Sequence, residues 1–125
     1  MALYEKELTE QNIGAAVEVH RELNPGLLES VDQACLAREF AVRGLYFEQE
    51  KPLPLEYKGV RVDCGYRLDF LVAGKVVVEL KAVDVIAPVH EAQLLTYLRL
   101  TGRRVGLTID FNVPVLKSGI KRRVL

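Results

Sequence analysis

The first third of the chain carries apolar side chains at helical spacing. From Thr9, a favourable N-cap, the run EQNIGAAVEVHREL predicts a helix that ends at Asn24-Pro25-Gly26. The run LLESVDQACLAREFAVR predicts a second helix, which ends at Gly44, a residue type common at helix C-termini. The two helices should form an antiparallel pair. Their predicted apolar stripes are Ile13, Ala16, Val17, His20 and Leu23 in the first helix, and Leu28, Val31, Cys35 and Phe40 in the second, with Leu36 alongside.

Beyond that glycine the pattern changes to the alternation typical of strands. Short strands are predicted at LYFEQEK and LPLEYK, separated by Pro52, and the runs VRVDCGYRLDFLVA and KVVVELKAV predict a hairpin around Gly74. A third helix should begin at Pro88 and end at Gly102. A strand at RVGLTIDF and an irregular strand in the tail FNVPVLKSGIKRRVL should follow it. This order predicts a single α/β domain over residues 1–125, with helices packed against a mixed β-sheet.

Composition narrows the class of protein. Half of the 125 residues are hydrophobic and 27% are charged, which excludes a disordered chain and allows a core without disulfides. The 17 basic and 17 acidic residues leave no net charge, which argues against a protein that coats nucleic acid electrostatically. Cys35 and Cys64 lack a zinc-site spacing and are interpreted as small core residues, in keeping with a cytoplasmic protein. The charged N-terminus does not resemble a signal peptide, and no run of about 18 apolar residues predicts a membrane span.

The predicted hairpin brings charged residues together. Glu79 and Lys81 alternate to the same face of one strand, and Asp69 lies on the other strand. A three-residue turn over 73–75 pairs Asp69 with Glu79, with Cβ atoms about 4.5–5.5 Å apart. A two-residue turn pairs Asp69 with Val78 instead, and places the two carboxylates on opposite faces. The sequence allows both registers, and the first alone creates a site.

Paired carboxylates beside a lysine, as in the first register, indicate metal chemistry. The two carboxylates repel each other unless a cation neutralises them, and oxygen donors with bound water suit Mg²⁺ or Mn²⁺. Such a metal stabilises charge on a phosphoryl oxygen, and Lys81 would position the attacking water or stabilise the transition-state charge. The alternative is an ordinary charged outer face, on which Glu79 and Lys81 are simply solvated.

Asp69 followed by Glu79-x-Lys81 resembles the core of PD-(D/E)XK nucleases. The whole chain is similar to the small GxxExxR family of that superfamily, through the stretches IGAAVEVHRELNPGLLES, RLDFLVAGKVVVELKAV, HEAQLLTYLRLTGRRVGLTIDFNVP and LKSGIKRR. One departure is Asp32, which stands where the family name has arginine and where members often have an aromatic residue. The resemblance implies a PD-(D/E)XK nuclease-like core, with a mixed β-sheet flanked by helices.

The resemblance also implies the catalytic residues. Asp69 and Glu79 would be the metal ligands, and Lys81 would be the catalytic lysine. Glu29, in the second helix, resembles the acidic residue that joins the metal site in many members. The implied cofactor is Mg²⁺ or Mn²⁺.

Supporting residues are implied around that site. Gln93 and Tyr97 resemble the QxxxY motif that lies beside the active site in the exonuclease and recombination branch, and their spacing puts both on one helix face. They also fit an ordinary amphipathic helix, with Tyr97 at the edge of the core. His20 is either a half-buried core histidine or a residue at the edge of the site, and His90 lies one turn before Gln93. Arg67 shares the face of the hairpin carboxylates, and would pair with one of them or with a substrate phosphate.

The function implied by the resemblance is a Mg²⁺-dependent nuclease that hydrolyses phosphodiester bonds in DNA or RNA. One alternative is a catalytically idle nuclease-fold module that binds nucleic acid or a protein partner, and another is metal-dependent chemistry on a small phosphorylated molecule. Nucleic acid is the expected partner, a membrane is not, and a homo-oligomer is compatible with the sequence. The candidates for phosphate contacts, which otherwise form a solvated surface, are Arg103, Arg104, Lys117, Lys121, Arg122 and Arg123.

Overall fold

The computed structural model describes residues 4–63 and 65–125, and within these ranges it contains three α-helices and seven strands. In chain order they are α1 (Lys6–Leu23), α2 (Glu29–Val42), β1 (Phe47–Pro52), β2 (Leu55–Tyr57), β3 (Val60–Val62), β4 (Arg67–Val72), β5 (Val76–Lys81), α3 (Pro88–Thr101), β6 (Val105–Asp110) and β7 (Ile120–Val124), with a 3₁₀ turn at Leu116–Gly119. The third helix has the predicted bounds, since Pro88 begins it and Gly102 follows it with a left-handed φ of 68°. None of the helices in these two ranges is long and apolar enough to cross a membrane.

Five of the strands form a mixed sheet in the order β1-β4-β5-β6-β7, while β2 and β3 form a separate hairpin. β5 and β6 are parallel and are connected through α3, and the other neighbouring pairs are antiparallel. At Gly106 of β6 a Cβ atom would lie 2.7 Å from Leu94 Cδ1, so the missing side chain lets α3 pack closely on the sheet. The predicted α/β class with a mixed sheet and flanking helices is confirmed.

Helices cover both faces of the sheet because its central strands are apolar on both. On one face lie α1 and α2, and Phe40 of α2 meets Phe70 of β4 edge to face, with ring centroids 5.2 Å apart. On the other face α3 packs through Leu94 and Leu98 against Val77 of β5. These contacts fix the positions of α2 and α3 relative to the β4–β5 hairpin, where the charged residues lie.

The turn between β4 and β5 decides which of the two predicted registers forms. Ala73 and Gly74 both have a left-handed backbone, with φ values of 53° and 67°. Three residues therefore intervene between Val72 and its partner Val76. This confirms the register that brings the two carboxylates together.

The predicted stripes of the first two helices are right in part, since Ala16, His20, Leu36 and Phe40 are buried. Thr9 is not the N-cap, because α1 begins at Lys6 and the Thr9 hydroxyl donates to the Lys6 carbonyl within the helix (3.0 Å). Val17 and Val31, which were predicted on the apolar stripes, are 45% and 39% exposed. The buried residues of α2 are Asp32, Leu36 and Phe40. A carboxylate occupies a core position here, so a stripe chosen on apolar residues alone includes Val31 in place of Asp32.

The middle of the chain is also more divided than predicted. The run VRVDCGYRLDFLVA does not form one strand, since it contributes β3 to the small hairpin and β4 to the main sheet. Cys35 is partly buried against the core between the helical pair and the sheet, which agrees with its interpretation as a core residue. The other predicted core cysteine, Cys64, lies outside the described residues.

Candidate active site

Asp69 of β4 and Glu79 of β5 are held together by hydrogen bonds from backbone amides. The Asp69 N–H donates to Glu79 Oε1 (3.2 Å), and the Leu80 N–H donates to Asp69 Oδ2 (2.8 Å). The regular strand ladder reaches Phe70 and Val78, one pair before them. Beyond that pair, side-chain oxygens accept the amide hydrogens of Asp69 and Leu80. The two strands themselves therefore orient both carboxylates.

Burial makes these two carboxylates difficult to ionise. Glu79 is 5% exposed, and burial, followed by the charge of Asp69, raises the pKa of Glu79 well above its ordinary value. Burial also raises the pKa of Asp69, whereas the Leu80 amide and the adjoining Glu79 carboxyl lower it. The pair therefore binds a proton more readily than a free carboxyl group does, and a divalent cation at this position would displace that proton.

Glu29, the first residue of α2, lies within the electrostatic field of the pair. Its side chain is exposed, yet partial desolvation and then the charge of Asp69 raise the pKa of Glu29, while Lys81 lowers it. Within residues 4–63 and 65–125, no group of three or more His, Cys, Asp or Glu side chains is arranged as a metal centre. The structure thus brings Glu29 near the pair without assembling a three-ligand site.

Glu50 of β1 is a nearby carboxylate that the sequence analysis missed. β1 pairs with β4 on both sides of it, in a register that places Glu50 across from Asp69. Its φ of 54° is left-handed, which is uncommon for a residue other than glycine, and Gln33 Nε2 donates to Glu50 Oε1 (2.7 Å). Its charge contributes to the raised pKa of Asp69 and of Glu29. Glu50 is identified by the pairing of β1 with β4, and this pairing is known only once the sheet is assembled.

Lys81 and α3 form a chain of hydrogen bonds beside the carboxylates. Lys81 Nζ donates to Gln93 Oε1 (3.0 Å), and Gln93 Nε2 donates to the Tyr97 hydroxyl (3.0 Å). Tyr97 is 6% exposed, and burial, followed by the charge of Glu79, raises the pKa of Tyr97. The predicted glutamine and tyrosine are therefore close to the lysine and to the buried glutamate, and the glutamine restricts the position of Nζ.

Asp110, the last residue of β6, anchors the chain at the end of β5, and the sequence analysis did not single it out. Lys81 pairs with Asp110 in the parallel register, and the Phe111 N–H donates to the Lys81 carbonyl (3.2 Å). Asp110 Oδ1 accepts the N–H of Val83 (3.1 Å) and the N–H of Asn112 (3.0 Å). These bonds hold the Lys81 backbone in a position from which its side chain reaches Gln93 of α3.

Both histidines make contacts that hold the fold together. His20 is 9% exposed, and its Nε2 donates to the Val113 carbonyl (2.7 Å), so its polar contact is with the segment after β6. His90 Nδ1 accepts the Ala87 N–H (3.0 Å) and thereby caps the start of α3. Of the two, His90 also lines the surface groove beside Lys81.

The predicted phosphate-binding cations are dispersed over the surface. Arg67 is exposed at the start of β4, two residues before Asp69. The others lie at the β6–β7 edge of the sheet, away from the β4–β5 hairpin: Arg103, Arg104, Lys117, Lys121, Arg122 and Arg123. Arg123 forms an ion pair with Glu91, and the Tyr4 ring lies under the Arg104 guanidinium, 4.6 Å from ring centroid to Cζ. The charges of Arg104 and Arg123 are therefore engaged by other residues of the protein.

The pair formed by the buried Glu79 and the half-buried Asp69 suits a divalent cation. Backbone amides engage one oxygen of Asp69 and one of Glu79, and a second hard oxygen donor on each is left for a metal. Mg²⁺ is commonly held by one or two carboxylates and completes its coordination with water and substrate phosphate. Two protein ligands therefore fit this ion, and the repulsion between the buried charges strengthens their attraction for it.

Comparison with protein families identifies the group to which the chain is related. A family model of the PD-(D/E)XK nuclease superfamily matches residues 6–123, and the chain therefore belongs to this superfamily. Membership indicates nuclease activity, and members usually use divalent metals, in agreement with the donor set of the site. Comparisons with curated proteins and with solved structures give no match.

Proposed function

We propose that the chain is a nuclease of the GxxExxR family within this superfamily, that it hydrolyses phosphodiester bonds in DNA or RNA, and that Mg²⁺ or Mn²⁺ is its cofactor. The observation that carries the proposal is the pair of the half-buried Asp69 and the buried Glu79, with the Lys81 ammonium directed to Gln93 beside it. An ordinary charged outer face would leave Glu79 in solvent, whereas here it is 5% exposed. The burial therefore supports a cation site rather than a solvated surface.

Each side chain has a role that follows from its position. Asp69 and Glu79 would hold the metal, and Glu29 would add negative charge on its solvent side. When bound, the metal supplies a Lewis acid that polarises a phosphoryl oxygen and lowers the pKa of bound water. Lys81 presents a positive charge whose position Gln93 restricts, so it would stabilise the negative charge that develops on the phosphate oxygens.

Arg67 is the proposed phosphate contact nearest to this chemistry. Alternation along β4 places it on the Asp69 face, and its side chain is exposed. The cations at the β6–β7 edge, two of which contact Glu91 and Tyr4, would serve as a second and more distant contact with nucleic acid.

A cleavage assay tests the proposal with single-stranded, double-stranded and branched substrates, in Mg²⁺, in Mn²⁺ and in a chelator. Glu79→Gln keeps the shape of the side chain but removes the charge that a metal requires, so cleavage should be lost. Glu22→Gln, at an exposed position of α1, is the matched control and should cleave at the wild-type rate. Both variants must unfold cooperatively. A wild-type protein that cleaves none of the substrates, or a Glu79→Gln protein that cleaves normally, contradicts the proposal.

A further inference from the structure

A groove opens beside Lys81, between α3 and the residues that precede β4. Its volume is about 620 Å³, within the range of small-ligand pockets. Lys81 and Gln93 belong both to this groove and to the candidate active site, so the groove continues the site along the surface. The remaining walls include Leu55, Tyr66, Val89, His90, Tyr97 and Leu100.

The groove is apolar where the active site is charged. Among its described lining residues Lys81 carries the single formal charge, counting histidine as neutral. Tyr66 is 47% exposed, and its ring centroid lies 6.2 Å from that of the buried Tyr97. The Tyr66 carbonyl accepts the Leu53 N–H (2.8 Å), which holds its backbone in place. An exposed aromatic ring on an anchored backbone, beside apolar side chains such as Leu100, suits a flat and largely apolar ligand.

A nucleobase is the flat group that accompanies a phosphodiester. The net charge is zero, and Arg104 and Arg123 are engaged with Tyr4 and Glu91, so contacts to phosphate alone would give weak affinity. Stacking of a base on an aromatic side chain supplies affinity that does not depend on charge. A base within a duplex is already stacked and paired, and it enters such a groove only after it has left the helix.

We propose that this groove holds an unpaired nucleobase of the substrate strand next to the scissile phosphate, with Tyr66 as the stacking residue. Single strands and unpaired ends are then the preferred substrates. That the bound strand is a substrate rests on the proposed nuclease function. That the groove binds a base rests on the groove itself. The two are therefore tested by separate measurements.

Binding of fluorescently labelled oligonucleotides in a chelating buffer tests the groove without cleavage. The wild type should bind a single strand more tightly than the matched duplex, and more tightly than the same strand made abasic. Tyr66→Ala should weaken binding of the single strand by about 5- to 150-fold, the loss of one stacked base. Tyr66→Phe keeps the ring and should stay within about twofold of the wild type. Tyr46→Ala removes a tyrosine that is 68% exposed outside the groove, and should bind as the wild type does.

Leu100→Ala provides a second, smaller truncation of the groove wall, in case Tyr66→Ala does not unfold cooperatively, and it too should weaken binding of the single strand. The inference is wrong if duplex and single strand bind equally, if the abasic strand binds as well as the intact one, or if both groove variants bind normally. It is also wrong if the wild type binds no oligonucleotide. Binding of a labelled apolar peptide in place of the oligonucleotide is one such result.

Cleavage in Mg²⁺ or Mn²⁺ is then measured separately. Cleavage together with binding that does not depend on Tyr66 rejects the groove and supports the nuclease. Binding that depends on Tyr66 in a protein that cleaves nothing supports the groove and rejects the nuclease.

Discussion

Asp32 carries a buried charge whose removal should stabilise the fold at neutral pH. Its side chain is 3% exposed, and burial raises the pKa of Asp32 from 3.8 to about 6. The charge of His20 opposes this rise, and the charge of Asp110 adds to it. The ionised carboxylate is therefore less stable in the folded protein than in the unfolded chain.

The raised pKa of Asp32 sets both the size and the sign of the pH dependence. A change from 3.8 to about 6 corresponds to at most about 3 kcal/mol of unfolding free energy. The folded state binds this proton more tightly than the unfolded state, so stability rises as the pH falls through about 6 and levels off near 3.8. Well above about pH 6 the ionised group destabilises the fold by the full amount.

Asp32→Asn replaces the carboxylate by a neutral group of the same shape, so a comparison across pH isolates the charge. Guanidinium unfolding followed by circular dichroism gives the free energy of unfolding of both proteins. The difference between the variant and the wild type should grow by about 2–3 kcal/mol in favour of the variant from about pH 4 to pH 8. The new amide adds to this difference an amount that does not change with pH. Asp84→Asn, at an exposed position, is the matched control and should show no such pH-dependent difference. A difference between Asp32→Asn and the wild type that stays constant with pH would refute the reasoning.

Three further predictions concern the active site. Mg²⁺ or Mn²⁺ should raise the melting temperature of the wild type, because a ligand that binds only the folded state stabilises it, and should leave that of Glu79→Gln unchanged. Calorimetry that shows no shift for the wild type contradicts the metal site. Lys81→Gln should lower kcat by about 10²–10³ while keeping the metal-induced shift in melting temperature. Lys75→Gln, in the exposed turn, is the control and should cleave normally. If Lys81→Gln cleaves at the wild-type rate, the lysine has no role in the mechanism. Glu50→Gly should be about 1 kcal/mol more stable than Glu50→Gln in chemical unfolding, because glycine relieves the left-handed backbone; equal stabilities would show no strain there.

The hairpin shows how far the sequence alone can predict this site. Alternation places Glu79 and Lys81 on one face, and turn length limits Asp69 to two registers. The choice depends on a left-handed backbone at Ala73, which is unfavourable by about 1–2 kcal/mol for a residue other than glycine. Pairing of two strands that are apolar on both faces compensates for that strain, and this gain arises only in the assembled sheet.

The polar residues of the core and of the candidate site are harder to predict. A pattern that assigns core positions to apolar residues excludes Asp32, although it lies on the buried stripe of α2. Glu50 is identified only through the long-range pairing of β1 with β4. Gln93 and Tyr97 fit both an ordinary helix and a functional motif, and the resemblance to a family, rather than their periodicity, indicated the second.

The balance of charge at the site distinguishes it from a structural ion pair. The charge of Asp69 acts on both Glu29 and Glu79, and the charge of Glu50 acts on Glu29 and Asp69. Lys81 is the ammonium whose charge lowers the pKa of Glu29, Asp69 and Glu79. Ionisation of all four carboxylates against this one ammonium leaves three negative charges in a partly desolvated region. Such an excess destabilises the folded protein as long as it is unneutralised, because burial strengthens repulsion as well as attraction. A divalent cation between Asp69 and Glu79 would remove most of that excess at once, so the proposed metal site would turn residues that weaken the isolated fold into ligands.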